Sequence, residues 1–106
     1  MKGKIVLVPF PFTDLTAAKL RPALVIYKGA KDVVLAFISS KVPSELSDAD
    51  VLVTKNHTEA GLKVDSVIKL DKIATVLKDL IVGELGELDE ELRSKVNRKL
   101  KKMLEM

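Results

Sequence analysis

The chain has 106 residues, of which 47% are hydrophobic and 31% are charged, and this balance predicts one folded globular domain and excludes general disorder. Because the chain has no cysteine, a disulfide framework and a thiolate metal site are excluded, and we expect a reducing, cytoplasmic environment. The net charge of +3 favours an acidic partner only weakly, so composition alone assigns no function.

The N-terminal run "KIVLVPF" predicts the first β-strand. Its basic start and apolar run are also features of a signal peptide, but Pro9 and Pro11 break the run and no small-residue cleavage pattern follows. No stretch approaches the roughly 18 apolar residues that a membrane span requires. We therefore expect no membrane partner.

Two further runs rich in β-branched residues, "PALVIY" and "DVVLAFISS", predict a second and a third strand joined by the tight connection "KGAKD". Apolar residues fall on both faces of each run, which indicates strands that are covered on both sides. The prediction is a mainly β fold whose sheet is rolled or barrel-like.

The middle of the chain predicts two more strands, "DVLVTK" and "SVIKLDKIATV", separated by a polar segment in which Gly61 is the turn residue. Alternation along the second of these strands places Lys69 and Asp71 on the same side. The loop "KVPSELSDAD" carries Asp48 and Asp50, which make a poor metal site without further ligands, so no metal or other cofactor is expected. The segment "LKDLIVGELGEL" is consistent with a helical turn or with a last strand.

The segment from Asp89 to about residue 105 predicts an amphipathic helix, because apolar residues recur at spacings of three and four. These residues are Leu88, Leu92, Val96, Leu100, Met103 and Leu104. Asp89 is placed to cap the first turn. Acidic side chains occupy the first turn and basic ones the later turns, as the helix dipole favours, so the basic run is explained as a solvated face before any contact with RNA is invoked.

Arg21 precedes Pro22 at the start of the second strand, and a residue before proline is pushed toward an extended backbone. A guanidinium held in this way can contact a phosphate through two hydrogen bonds. Ser39 and Ser40 end the third strand, and antiparallel pairing of the two strands places Arg21 beside Ser39. Taken singly, each feature also has an ordinary explanation, namely an ion pair at a sheet edge or a hydroxyl bonded to a turn.

The blocks "PFPFTDLTAAKLRPALVI", "VLAFISSK" and "GLKVDSVIKLDKI" resemble, in this order, the three signature blocks of the MazF/PemK family, the toxin halves of type II toxin-antitoxin pairs. The resemblance implies an SH3-like β-barrel over about residues 1–87 and a C-terminal helix over about 89–105. It also implies a homodimer that cleaves single-stranded RNA sequence-selectively and without a metal. A separately encoded antitoxin would neutralise the toxin, in a complex that binds DNA.

Carried over residue by residue, the resemblance implies that Arg21 and Ser39 are catalytic. The substrate-binding residues that it implies are Phe12, Thr13, Asp14, Lys19, Ser40, Lys41, Lys69 and Asp71. The segment from Phe12 to Lys19 matches the loop that covers the RNA, although it lacks the glycine that relatives often carry before Arg-Pro. Serine at Ser39 stands where the family has threonine, which frees the hydroxyl's rotamer, and lysine at Lys69 lacks the planar fork of arginine. These departures predict altered sequence preference or weak activity.

The chemistry itself follows from RNA, whose 2′-hydroxyl can attack the adjacent phosphate. Arg21 suits stabilisation of the charge that develops on the phosphate, but its guanidinium holds its proton too tightly to act as a base. Ser39 would donate a hydrogen bond to a phosphate oxygen, and Asp14 or Asp71 is the candidate proton acceptor. His57 is the only histidine, which excludes a two-histidine mechanism, and we expect it on a surface loop.

Several alternatives stay open. Lys69 and Asp71 are as consistent with a solvated surface pair as with a substrate contact. Phe10, Phe12 and Phe37 are more typical of a core than of a base-stacking surface. The whole domain is also consistent with an SH3-like module that binds RNA or protein without cutting, or with an interaction protein that dimerises through its C-terminal helix.

Overall fold

The computed structural model describes residues 1–10 and 19–106, and these form a curled antiparallel sheet of six strands followed by one helix. The elements are β1 (Lys4–Phe10), β2 (Lys19–Lys28), β3 (Asp32–Ser39), β4 (Asp50–Val53), β5 (Ser66–Leu77), β6 (Gly83–Glu87) and α1 (Glu90–Leu104). The strand order is β4-β5-β3-β2-β1-β6. Short 3-10 turns occupy Thr58–Ala60 and Lys78–Leu80.

The predicted fold class, mainly β with a C-terminal helix, is confirmed. The ambiguous segment "LKDLIVGELGEL" contains both predicted alternatives, a 3-10 turn and then β6. β2 begins at Lys19, earlier than the predicted start at Pro22, and β3 ends at Ser39, so that Ser40 lies beyond the strand.

Among the described residues the strand pairing has three irregularities, one of them between β1 and β6 at Ile5 and Val6, and the other two bend the middle of the sheet. Phe37 of β3 pairs with Lys69, whereas its neighbour Ala36 pairs with Ile73, so residues 70–72 of β5 are extra. A smaller irregularity lies in β2, where one additional residue separates the pairs that Val25 and Tyr27 make with β3. Inserted residues bend a strand and increase its twist. The first half of β5 is thereby directed toward β4, which gives the sheet its curl.

Apolar side chains alternate into two separate cores, one on each face of the sheet. The larger core, which α1 covers, contains Ile5, Leu24, Ala36, Ile38, Val51, Val53, Ala60, Ile68, Leu70, Leu88, Leu92 and Val96. The smaller core on the opposite face contains Val6, Val8, Ala23, Val25, Val33, Leu35 and Val76. The prediction that these strands are covered on both sides is confirmed.

The N-terminus of α1 is tied to the β4–β5 connection through one carboxylate. Asp89 Oδ1 accepts a hydrogen bond from the backbone N–H of Leu92 (2.9 Å), which is the predicted cap. Asp89 Oδ2 lies 2.6 Å from His57 Nδ1, which donates because an ionised carboxylate only accepts. The Leu92 N–H, and then the His57 contact, hold the pKa of Asp89 below its ordinary value. His57 lies in a loop, as expected, but its side chain is partly buried and is bonded to this cap.

In the part of the chain that the structure describes, no helix combines the length and the apolar composition that crossing a bilayer requires.

Two glycines allow the 3-10 turn Thr58–Ala60 to lie directly against β6. Gly61 adopts a left-handed backbone (φ 73°), which favours glycine. A Cβ atom at Gly86 would lie 2.6 Å from the carbonyl carbon of Ala60, inside van der Waals contact. The two backbones therefore touch only because these side chains are absent.

We expect Gly86→Ala to lower the free energy of unfolding by about 1–3 kcal/mol, because the added methyl group overlaps backbone that cannot move independently. Urea unfolding of the purified protein measures this change. The matched control is Gly83→Ala in the same strand, where the added Cβ meets no atom of the described residues within 4 Å. Equal losses for the two variants would contradict the close-approach explanation.

Candidate active site

The pairing of β2 with β3 brings Arg21 and Ser39 to the same end of the sheet. Ala23 pairs with Phe37, and the same antiparallel register continued two residues outward places Arg21 opposite Ser39. Arg21 also pairs with Val8 on its other side. Both residues line one groove of about 270 Å³. The strand-end geometry predicted from the sequence is present.

This groove, called the β2–β3 groove below, has a basic rim and an apolar floor. It is lined by Val8, Phe10, Arg21, Pro22, Ala23, Phe37, Ile38, Ser39, Lys69 and Lys72. The rings of Phe10 and Phe37 meet edge to face, with centroids 4.9 Å apart and planes at 78°. The lining residues that the structure describes include three cations and no carboxylate. Such a groove favours an anionic ligand.

The bend in β5 explains why two lysines reach the same groove. In a regular strand, residues three positions apart face opposite sides, so Lys69 and Lys72 should diverge. The extra residues 70–72 interrupt this alternation, and both lysines line the groove. The second lysine was not identified from the sequence, since a period-two reading of "SVIKLDKIATV" places it on the other face.

Ser39 is half-buried, and its hydroxyl is held by the chain that follows it. Ser39 Oγ accepts a hydrogen bond from the backbone N–H of Lys41 (3.1 Å). A serine hydroxyl has one donor and two acceptor positions, so its O–H can still donate to a ligand. The contact with Lys41 restricts a side chain that lacks the stiffening branch of threonine.

Lys69 pairs across the sheet with Asp50, a residue that the sequence analysis treated only as part of a poor metal site. The two residues are register partners of β4 and β5, and Lys69 Nζ lies 3.4 Å from Asp50 Oδ1. Asp50 Oδ2 accepts a hydrogen bond from the backbone N–H of Ser47 (3.0 Å). Burial favours a raised pKa for Asp50, but the Ser47 N–H and the Lys69 ammonium outweigh it, and the pKa lies below its ordinary value. A buried carboxylate thus holds one cation of the groove in place.

The other predicted site residues lie outside the groove lining or outside the described residues. Ser40, Lys41 and Asp71 are exposed and do not line the β2–β3 groove, and the acidic partner of Lys69 is Asp50. Lys19 is exposed at the start of β2. The predicted contacts Phe12, Thr13 and Asp14 fall outside the described residues. Within residues 1–10 and 19–106, histidine, aspartate and glutamate form no group of three that could hold a metal ion.

The sequence matches the family of the "PemK-like, MazF-like toxin of type II toxin-antitoxin system" over residues 1–104. The chain therefore belongs to this family, as its three sequence blocks predicted. No curated protein sequence matches the chain significantly.

Solved structures with the same fold include toxins and toxin–antitoxin complexes. The Mycobacterium tuberculosis toxin MazF-mt6 is 18% identical with a TM-score of 0.74, and the match covers 93% of each chain. An endoribonuclease in complex with its cognate antitoxin from a mycobacterial species is 19% identical with a TM-score of 0.72, over 98% of this chain and 93% of that one. A MazE–MazF structure from Deinococcus radiodurans is 21% identical with a TM-score of 0.73, over 99% and 94%. At these identities the likeness shows the fold alone.

We expect Asp50→Asn to destabilise the protein by about 1–3 kcal/mol, because Lys69 loses its charged partner while only 27% of its side chain is exposed. Folding lowers the pKa of Asp50, so its stabilisation is complete above the unfolded-state pKa of about 4 and is lost as the pH falls through the lower folded-state value. Urea unfolding of the wild type and the variant as a function of pH measures this difference.

Asp48→Asn is the matched control, because it removes the same charge from an exposed side chain two residues away. Its stability difference from the wild type should be small. A loss at Asp48 equal to that at Asp50, or a loss at Asp50 that persists unchanged at acid pH, would contradict the proposed role of the ion pair.

Proposed function

We propose that this protein is the toxin of a type II toxin-antitoxin system and a metal-independent endoribonuclease that cleaves single-stranded RNA sequence-selectively in the cytoplasm. One observation carries the proposal: Arg21 and Ser39, eighteen positions apart in the sequence, line the same basic groove. Membership of the toxin family supports it independently. We further propose that residues 1–106 form one domain.

The proposed reaction uses the RNA's own nucleophile. The 2′-oxygen forms a bond to the adjacent phosphorus while the bond from phosphorus to the 5′-oxygen breaks, which leaves a 2′,3′-cyclic phosphate and a free 5′-hydroxyl. The proton of the 2′-hydroxyl passes to a base, and the departing 5′-oxygen gains a proton. Negative charge on the non-bridging oxygens is greatest at the five-coordinate phosphorus. Fixed donors aimed at that charge therefore lower the barrier.

Each groove residue has a role that its chemistry supports. Arg21 would donate two hydrogen bonds to the non-bridging oxygens, and Ser39 would donate its O–H to one of them. Lys69 and Lys72 would neutralise the scissile phosphate or its neighbour. Of the two candidate bases, Asp71 does not line the groove, so we propose Asp14, which lies outside the described residues.

The apolar floor supports RNA more than an isolated phosphate as the ligand. Phe10 of β1 and Phe37 of β3, the two neighbours of the strand that carries Arg21, form an aromatic pair in the groove lining. Nucleobases rest favourably on aromatic and apolar surfaces, and only single-stranded RNA presents its bases for such contact. A base held there beside a phosphate on the rim would fix which bond is cut.

A domain of this fold that binds RNA without cutting it is the second candidate. Serine in place of threonine at Ser39 and lysine in place of arginine at Lys69 favour it. The same assay separates the two candidates, since a binding module protects or shifts RNA without releasing fragments.

We expect the wild-type protein to cleave a long single-stranded RNA in excess chelator, and Arg21→Ala to reduce kcat by about 10²–10³-fold, because it removes the charge that faces the transition state. Ser39→Ala should have a smaller effect, since one neutral donor is lost. Gel analysis of end-labelled RNA measures the rates and maps the cut sites.

Lys28→Ala is the control, because Lys28 is an exposed cation at the opposite end of β2. Its kcat should equal that of the wild type. Equal cleavage by the wild type and Arg21→Ala would show that the activity does not come from this groove, and RNA binding without cleavage by the wild type would favour the second candidate.

We also propose a homodimer and a separately encoded antitoxin as partners. Two neighbouring structures are toxin–antitoxin complexes, which supports the antitoxin. For the dimer, Tyr27 pairs with Val34, and Val34 with Thr75, so these residues share one sheet face. Exposed Tyr27, Ile73 and Leu77 make this region of the face apolar beyond the part that α1 covers. Apolar area of this kind is typical of a protein interface.

We expect sedimentation equilibrium to give a dimer for the wild type and a monomer for Leu77→Lys, because a charge placed at the centre of an apolar interface cannot be paired. Val42→Lys is the control, since Val42 is an exposed apolar residue in the loop after β3. A monomeric wild type, or dimers of both variants, would contradict this interface. Co-purification with the product of an adjacent reading frame tests the antitoxin.

A further inference from the structure

The positive charge of the chain is concentrated in its C-terminal helix. Residues 93–106 carry six basic side chains and one acidic side chain, whereas residues 1–92 carry twelve basic and fourteen acidic ones. Without its last fourteen residues the chain would therefore be net acidic. A binding site for a polyanion cannot draw on the overall charge of the sheet, which makes the placement of this helix relevant to RNA binding.

Five of the six basic side chains of α1 lie on either side of its buried stripe, and the sixth, Lys101, lies on the face away from the stripe. At 100° per residue, Lys95, Arg98, Lys99 and Lys102 fall within one 100° sector beside the stripe. Arg93 lies on the other side, where it is 3.6 Å from Glu87. We call the first group the basic flank. Glu91 lies one turn before Lys95 on the same side of the helix, so the part of the basic flank that has no acidic neighbour begins in the second turn.

The basic flank is joined to the β2–β3 groove by one short turn. Lys99 Nζ donates a hydrogen bond to the backbone oxygen of Asp48 (3.2 Å). Two residues later, Asp50 holds Lys69, which lines the groove. Residues 48–50 therefore contact both surfaces: Asp48 accepts a hydrogen bond from Lys99 of the flank, and Asp50 pairs with Lys69 of the groove. We expect an RNA chain that leaves the groove past Lys69 to cross residues 48–50 and then meet the flank.

We propose that the basic flank binds the phosphates of single-stranded RNA outside the cleavage site, so that α1 lengthens the binding surface of the groove. This inference rests on the function proposed above. It names Lys95, Arg98 and Lys102 as the contacting residues, with Lys99 holding the helix against the turn. The flank positions long RNA and takes no part in the bond-breaking step.

The composition of the flank favours RNA over an acidic protein. Protein interfaces combine charged rims with a buried apolar centre. Leu92 and Val96 of α1 are instead buried in the larger core, and Leu100 and Met103 pack against it. Leu104 is exposed, but at 100° per residue it lies on the far side of the apolar stripe from the flank, which itself consists of cations. Regularly spaced cations without interleaved apolar contacts are typical of sites for nucleic-acid backbones.

The test compares the affinity of the protein for single-stranded RNA of two lengths. Fluorescein-labelled uridine oligomers of about 6 and about 24 nucleotides are used, because a small domain that binds single strands covers roughly 4–16 nucleotides, so only the longer oligomer extends well beyond the groove. Their Kd values are measured by anisotropy at several salt concentrations, in the Arg21→Ala background so that the RNA stays intact. The test variant is Lys95→Gln/Arg98→Gln/Lys102→Gln, because glutamine keeps the helix propensity of lysine and arginine.

The matched control is Lys28→Gln/Lys31→Gln/Lys63→Gln, which removes the same charge from exposed lysines in the β2–β3 hairpin and in the β4–β5 connection. We expect the helix variant to bind the long oligomer about tenfold more weakly. The slope of log Kd against log salt concentration should decrease by roughly 2, because three cations are removed. The short oligomer and the control variant should change by less than about twofold. The Arg98→Lys variant should bind the long oligomer as tightly as the protein with the wild-type helix, because lysine keeps the positive charge that contacts a phosphate.

Equal weakening of both oligomers, or equal weakening by the control variant, overturns the proposal, since either result reports net charge alone. Unchanged affinity for the long oligomer together with loss of neutralisation by the antitoxin also overturns it and assigns the flank to the antitoxin. Failure of the proposed nuclease function is seen separately: the wild type would then cut no RNA, while the length-dependent loss of affinity would persist.

Discussion

The register between β2 and β3 is the constraint on which the candidate site depends. Arg21 faces Ser39 only in the observed register, and a slip of one residue would turn Arg21 to the other face of the sheet. Burial on both faces opposes such a slip. Val25 and Leu35 pack into the smaller core while Leu24 and Ala36 pack into the larger one, so a shifted strand would exchange the contents of two cores at once. Hydrophobic packing far from the groove therefore holds its two polar residues in position.

Local pattern and family resemblance predicted the fold class and the meeting of Arg21 with Ser39, because a hairpin joins neighbouring strands and its geometry follows from the sequence between them. The interactions that were missed are non-local. Asp50 and Lys69 become partners only when the register of β4 with β5 is known, and "SDAD" read alone indicates a loop. Lys72 reaches the groove because β5 contains extra residues, and an inserted residue leaves no mark on the apolar alternation that predicts a strand.

The groove carries a serine and a lysine where the family resemblance led us to expect threonine and arginine, and both side chains have a neighbour that restricts them. The backbone N–H of Lys41 holds the Ser39 hydroxyl, which has no methyl branch to limit its rotation. Asp50 holds the Lys69 ammonium, which has no planar fork to set its direction. Both restraints act before a ligand arrives, so less conformational entropy is lost on binding. Serine and lysine at these positions thus change which hydrogen bonds the groove can make more than they change how firmly its side chains are held.

The orientation of α1 is determined by contacts at its N-terminus and in its second half, and this decides which of its cations lie on the side of residues 48–50. At the N-terminus, Asp89 caps the helix and accepts a hydrogen bond from His57. Further along, Lys99 donates to Asp48, while Leu92 and Val96 hold the apolar stripe in the core. A helix held at two points and by its buried face cannot rotate about its axis without breaking all three. The helix dipole accounts for basic residues late in the sequence of α1, but only this orientation accounts for their lying beside the turn that leads to Lys69.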